Sequence, residues 1–118
     1  MQRDDEDAAR LWDMLIYARE IGETAFRMTF EDYIADADRR LATERRLEII
    51  GEAARNISSE FQKAHPEIPW RQIIGLRNVL AHEYGEIRQE RLFHIVLDRI
   101  PALIRDLEPL VPPMPSEP

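Results

Sequence analysis

Apolar side chains recur along this chain at three- and four-residue spacing, not at every second position, so the sequence reads as a succession of amphipathic helices. Leu11, Leu15, Ala18 and Ile21 mark a first helix that ends near Gly22. From Thr29 to Ala37 the pattern is ambiguous. Thr29 stands as an N-cap before Phe30-Glu31-Asp32, and Asp36 can cap a longer helix whose buried stripe is Leu41, Leu47, Ile50, Ala54 and Ile57. Gly51 lies inside that stripe, where it costs about 1 kcal/mol against alanine, so a neighbouring helix is expected to come close there. His65-Pro66-Glu67-Ile68-Pro69-Trp70 ends the helix, because each proline lacks an amide hydrogen and disfavours helical geometry in the residue before it. A further helix begins near Trp70 and turns Ile73, Leu76, Leu80 and Tyr84 inward. The last runs from about Gln89 to Glu108 and buries Leu92, Ile95, Val96, the stem of Arg99, Leu103 and Leu107, with Pro101 as the place for a kink. The expected organisation is one all-α domain over residues 1–108, followed by a proline-rich flexible tail over 109–118 that holds five prolines.

Composition narrows the classes of function. At 118 residues, with 44% hydrophobic and 33% charged side chains, the chain suits a single globular core. It has no run of about 18 apolar residues, as a membrane span would need. Its acidic start, Met1-Gln2-Arg3-Asp4-Asp5-Glu6-Asp7, is unlike a secretory signal, so a cytoplasmic protein without a membrane partner is expected. The absence of cysteine excludes disulfides and thiolate chemistry, and three scattered histidines leave little from which to build a metal site. Any chemistry is therefore expected to be acid–base chemistry with no metal and no cofactor. The formal charge of -7 weighs against nucleic-acid binding, because proteins that neutralise phosphates carry basic surfaces. An RNA substrate has to be met by a local basic pocket, and the acidic remainder suits a basic partner protein.

The segment Arg77-Asn78-Val79-Leu80-Ala81-His82-Glu83-Tyr84 concentrates the candidate chemistry. At about 100° per residue, Asn78 and His82 share a helix face on the far side from the Ile73, Leu76 and Leu80 stripe. Gly75 lies one turn before and Gly85 just beyond, so that face can accept a second helix at short distance, and a homodimer interface is the natural expectation. Arg77 is offset from His82 by roughly 140° on the same geometry. Either its long side chain wraps toward the histidine, or residues of two protomers meet in one cleft. An arginine, a histidine and an amide suffice to cleave RNA when the substrate's 2′-hydroxyl is the nucleophile. Imidazole, with an ordinary pKa of about 6.5, exchanges protons at neutral pH. A planar guanidinium binds two phosphate oxygens and stabilises the charge that grows on them. The amide of Asn78 can orient the histidine or hold a phosphate oxygen. The products are then a 2′,3′-cyclic phosphate and a 5′-hydroxyl.

Taken alone, an arginine and a histidine at this spacing more often amount to a salt-bridged arginine and an exposed histidine. His65 reads as a capping or loop residue and His94, beside Phe93, as surface or interface. Glu48 and Glu52 read as a solvated or ion-paired stripe with Arg45 and Arg55. Trp12, Trp70 and Phe61 read as core.

Three blocks, Leu47-Glu48-Ile49-Ile50-Gly51-Glu52-Ala53-Ala54, Pro66-Glu67-Ile68-Pro69-Trp70 and Ile74 through Tyr84, together resemble the HepT-like toxins of the HEPN superfamily, in family order and over about half the chain. The superfamily signature is an arginine, a polar residue and, after a short spacer, a histidine. Arg77, Asn78 and His82 match its shortest form, and Tyr84 matches the tyrosine that follows in the HepT-like branch. The resemblance implies an antiparallel, HEPN-like bundle of four to five helices that forms a homodimer, with Arg77, Asn78 and His82 of both chains as the catalytic residues of a metal-independent RNA endonuclease. It also implies a type VII toxin–antitoxin system whose minimal nucleotidyltransferase antitoxin transfers AMP from ATP to Tyr84. New phosphate charge beside Arg77 and His82 would repel RNA. DNA is not an expected substrate. Gly85 and the short Glu86-Ile87 segment depart from the bulkier residue expected after the tyrosine. The alternative within the same resemblance is a non-catalytic HEPN binding module held in complex with a nucleotidyltransferase.

Overall fold

The computed structural model describes residues 3–82 and 88–112. Among these the chain forms six helices: α1 (Arg3–Ala25), α2 (Phe30–Ala35), α3 (Ala37–Arg55), α4 (Ser59–Ala64), α5 (Trp70–His82) and α6 (Gln89–Leu107). The all-α bundle expected from the sequence is present, with six helices in place of four to five because two six-residue helices join the long ones. No described helix is long and apolar enough to cross a membrane.

Capping explains most of the boundaries. Thr29 and Asp32 form a reciprocal capping box at the start of α2, in which the Thr29 hydroxyl accepts from the Asp32 amide and the Asp32 carboxylate from the Thr29 amide. Asp36 accepts from the Arg39 amide and starts α3. The expected end of the first helix at Gly22 is corrected to Ala25. Gly22 is buried within α1, and a single glycine taxes a helix without breaking it. The helix expected to run on to the prolines is instead cut at Asn56–Ser58, where local side-chain hydrogen bonds outcompete helix continuation. Asn56 Nδ2 donates to the Glu52 carbonyl at 2.8 Å, and Ser58 caps α4 through the Phe61 amide. The buried carboxylate of Asp7 on α1 accepts from both the amide and the hydroxyl of Ser58, at 2.9 and 2.6 Å, which fastens the break to the first helix.

α3 is the central element, packed between α1 on one side and α5 on the other, and α6 packs on α1. The core is built from Leu11, Met14, Leu15, Ala18 and Ile21 of α1, Leu47, Ile50, Ala53 and Ala54 of α3, Leu80 of α5, and Leu92, Val96, Ile100, Leu103 and Leu107 of α6. The expected α3 stripe is right from Leu47 onward and wrong at Leu41, which is 48% exposed. Six residues before Leu47, Leu41 lies about 120° round the helix, and it is Thr43 and Glu44 that face inward there. Buried Glu44 accepts a hydrogen bond from Gln89 Nε2 at 2.9 Å and so ties α3 to the first turn of α6. On α6, Ile95 is only partly buried, where burial was expected, and Arg99 is exposed as a whole residue. They lie one step off the Val96–Ile100–Leu103 stripe and line an open groove. Past α6, Leu110 and Val111 still pack against the core, and residues 113–118 of the expected tail lie outside the described residues.

Candidate active site on the fifth helix

The Pro66–Pro69 linker delivers α5 in a fixed register. Ile68 is buried, and the indole Nε1 of Trp70 donates to the His65 carbonyl at 2.9 Å, which pins the first residue of α5 to the end of α4. His65 ends α4, its ring against Phe61, with Nδ1 3.3 Å from Glu67 Oε2; it has the local role read from the sequence. Trp70 is core, while Trp12 and Phe61 pack against the core from partly buried positions.

Where α5 crosses α3, Gly51 performs the function expected of it. A Cβ at Gly51 would overlap the Cβ of Arg77, lie 2.8 Å from its Cγ and 3.1 Å from the Ile73 carbonyl oxygen. The missing side chain thus sets the approach of the two helices at the residue that begins the motif. From there the Arg77 side chain, 20% exposed, turns out of the helix interface. Its Nη1 donates to Asn78 Oδ1 at 3.1 Å. Its Nη2 lies 3.0 Å from Glu52 Oε2, an ion pair by distance. The other Glu52 oxygen accepts from Arg55 Nη2 at 3.2 Å and from Asn56 Nδ2 at 3.3 Å.

Asn78 and His82 are both exposed, as their position opposite Leu80 requires. Gly75, on the same face, has open space where a Cβ would stand. Counting about 100° per residue from Leu80, Arg77 lies near 60°, Asn78 near 160° and His82 near 200°, so Asn78 stands between the other two. Its contact with Arg77 is the only one the described residues record within the triad. Tyr84 and Gly85 lie outside the described residues. His94 is exposed on α6, with its ring edge-on to Phe93.

The residue whose surroundings sequence reasoning saw only in part is Glu52. It was expected in a stripe with Arg45, Glu48 and Arg55, and the pairs Arg45–Glu48 and Arg55–Glu52 do form. Its bond to Arg77 joins residues 25 positions apart and is invisible to local spacing. The available signal was that Gly51, already marked as a point of close approach, immediately precedes it.

On either side of this face the surface differs. Toward α1, Arg77 lines a charged cleft of about 500 Å³ with Arg10, Asp13, Arg45, Glu48 and Glu52. Toward α6, Ile73 and Leu76 form one wall of an apolar groove of about 480 Å³, with Ile95, Ala102 and Leu103 opposite and Leu47 and Ile50 as part of its lining.

Comparison with known proteins agrees with this architecture. The family model "Ribonuclease HepT-like" matches residues 14–110. The protein named "Probable ribonuclease HepT" of Thermococcus cleftensis is 40% identical over 90 residues, covering 76% of this chain and 82% of its own. Two proteins of Methanocaldococcus jannaschii, each named "Putative RNase", are 36% identical over 100 residues (85% of this chain, 92% of theirs) and 33% identical over 103 (87% and 85%). No solved structure matches the chain. Bundle and matches together define the class, an all-α ribonuclease. The chain belongs to the HepT-like ribonuclease family.

Proposed function

We propose that this protein is a metal-independent RNA endonuclease in which Arg77, Asn78 and His82 form the catalytic set. The observation that carries the reading is the C-terminal half of α5, where a braced guanidinium, the amide that holds it and an exposed imidazole one turn further on occupy adjoining sectors of one helix. The guanidinium has five N–H donors and spends one on Asn78, while Nη2 is held beside Glu52 by charge, which leaves donors free for phosphate oxygens. His82 takes the proton of the RNA 2′-hydroxyl as its oxygen attacks phosphorus. The P–O5′ bond breaks, and the departing 5′ oxygen is protonated by a second imidazole, that of the partner subunit.

The need for a second histidine is the argument for a homodimer, and the apolar groove between α5 and α6, on the Leu76 side of the helix, offers that copy a surface to cover. The antitoxin reading follows the family: a minimal nucleotidyltransferase transfers AMP to Tyr84, two residues beyond His82, with the Tyr84 oxygen displacing pyrophosphate from ATP. The modification places anionic phosphate where RNA must bind. The chain's charge of -7 keeps RNA to the motif face and suits a basic surface on the partner.

The test is cleavage of a single-stranded RNA by purified protein in EDTA. The expected products are a 2′,3′-cyclic phosphate and a 5′-hydroxyl, and both Arg77→Ala and His82→Ala should lower the rate at least a hundredfold, as loss of a general base or a transition-state donor does. Undiminished cleavage by either variant rejects the assigned roles. Intact mass after co-expression with the nucleotidyltransferase should show AMP on the wild type and none on Tyr84→Phe. Tight complex formation by a protein that never cleaves RNA would favour the binding-module reading.

A further inference from the structure

We infer that Glu52 is a positioning residue for Arg77, holding the guanidinium at the angle from which it meets phosphate. The inference rests on the proposed role of Arg77 and concerns a residue outside the motif.

The argument begins with where Arg77 stands. It occupies the α3-facing flank of α5, its Cβ against Gly51, so its side chain must leave a helix interface before it can reach the exposed face. An unrestrained arginine loses rotamer freedom when fixed, and fixing it only when substrate arrives subtracts that cost from catalysis. Here both ends of the guanidinium plane are occupied beforehand, Nη1 by Asn78 Oδ1 at 3.1 Å and Nη2 by Glu52 Oε2 at 3.0 Å. Two contacts at opposite corners define the plane as one contact cannot.

Glu52 is itself braced. Its Oε1 is held by Arg55 and by Asn56, and Asn56 is the C-cap of α3, so the carboxylate is fastened to the helix end by residues one turn further on. Shared between two guanidiniums, its charge is more than balanced: Arg55, Glu52 and Arg77 together carry one net positive charge. The carboxylate therefore orients Arg77 without cancelling its attraction for phosphate. The Glu52 side chain is 43% exposed, yet its Oε2 is buried and accepts no hydrogen bond, so what answers the charge of that oxygen is the Arg77 guanidinium beside it.

The experiment is steady-state RNA cleavage by Glu52→Ala and Glu52→Gln, each also built on Arg77→Lys, with thermal melts of every protein. Displacing the guanidinium by about 1 Å should lower kcat of Glu52→Ala about a hundredfold. KM should not rise, since a negative charge leaves the site, and the melt should stay near that of the wild type. Glu52→Gln keeps the shape of the side chain beside Nη2 without its charge and should fall between. On the Arg77→Lys background neither change should lower kcat further, because an ammonium cannot use the two-cornered brace. Wild-type kcat in Glu52→Ala overturns the inference, as does a gain in activity, which would make the carboxylate a competitor of phosphate. An equal loss in both backgrounds assigns Glu52 a general structural role and also overturns it. Should Arg77→Ala itself cleave normally in the same assay, it is the proposed function that fails, and the two failures are read from different proteins.

Discussion

The two flanks of helix α5 meet their neighbours on opposite terms. On the Arg77 side the helix lies so close to α3 that Gly51 has no room for a methyl group, and the surface beside it is charged and cross-linked by Asn78, Glu52, Arg55 and Asn56. On the Leu76 side the helix stands away from α6, and Ile73, Leu76, Ile95 and Leu103 line an uncovered apolar groove. One flank holds a charge between two partners. The other leaves area to be covered. The proposed site asks for both a placed guanidinium and a surface for a second copy of the chain, and the thirteen residues of α5 carry both kinds of flank.

Substitutions separate the flanks, beginning with the residue that serves both. Leu80 is 4% exposed at the ridge between them, and Leu80→Ala should cost about 2–5 kcal/mol in urea unfolding and impair both cleavage and self-association. Gly51→Ala acts on the closed flank alone. Its methyl group must push α5 outward at Arg77, at a cost of about 1–3 kcal/mol, offset by at most about 1 kcal/mol of helix propensity. RNA cleavage should fall by more than the stability loss explains. A protein that keeps full activity would show that the approach of α3 to α5 does not place Arg77. The open flank answers to the pair Leu76→Ser and Ile95→Ser, which should shift the sedimentation of the protein toward the monomer while changing unfolding of the monomer by about 1 kcal/mol or less, because both side chains are only partly buried. Unaltered self-association would remove the groove from the interface. Leu41→Ser, far from either flank and already exposed, should stay within about 0.5 kcal/mol and leave activity unchanged.

The sequence made these flanks partly legible. Caps at Thr29 and Asp36 were readable because each is a local bond between one side chain and the amide three residues on. Gly51 was readable because a glycine inside a helix asks for a reason, and the structure supplies it in Arg77. The outward face of Asn78 and His82 followed from helix periodicity alone. What escaped were features set by distant partners or by competition. The cut at Asn56–Ser58 depends on Asp7, some fifty residues earlier, accepting both Ser58 donors. Ile95 looked like core because its periodicity permits it, and only the separation of α5 from α6 leaves it at a groove. Glu52 looked like one member of a surface charge stripe until the crossing of α3 and α5 brought Arg77 to it.

The closeness at Gly51 also bears on how mutational damage will be distributed in this protein. A library varied at every codon and sorted for loss of cleavage should return Gly51 beside Arg77 and His82, although it has no side chain to offer a substrate. Alanine scanning, which reports what is lost by trimming, would add a methyl group there and so register an intrusion as though it were a missing group. A tolerance map of this chain therefore has to be read with the sign of the volume change at each position, since the same loss of activity marks both a group that must be present and a space that must stay empty.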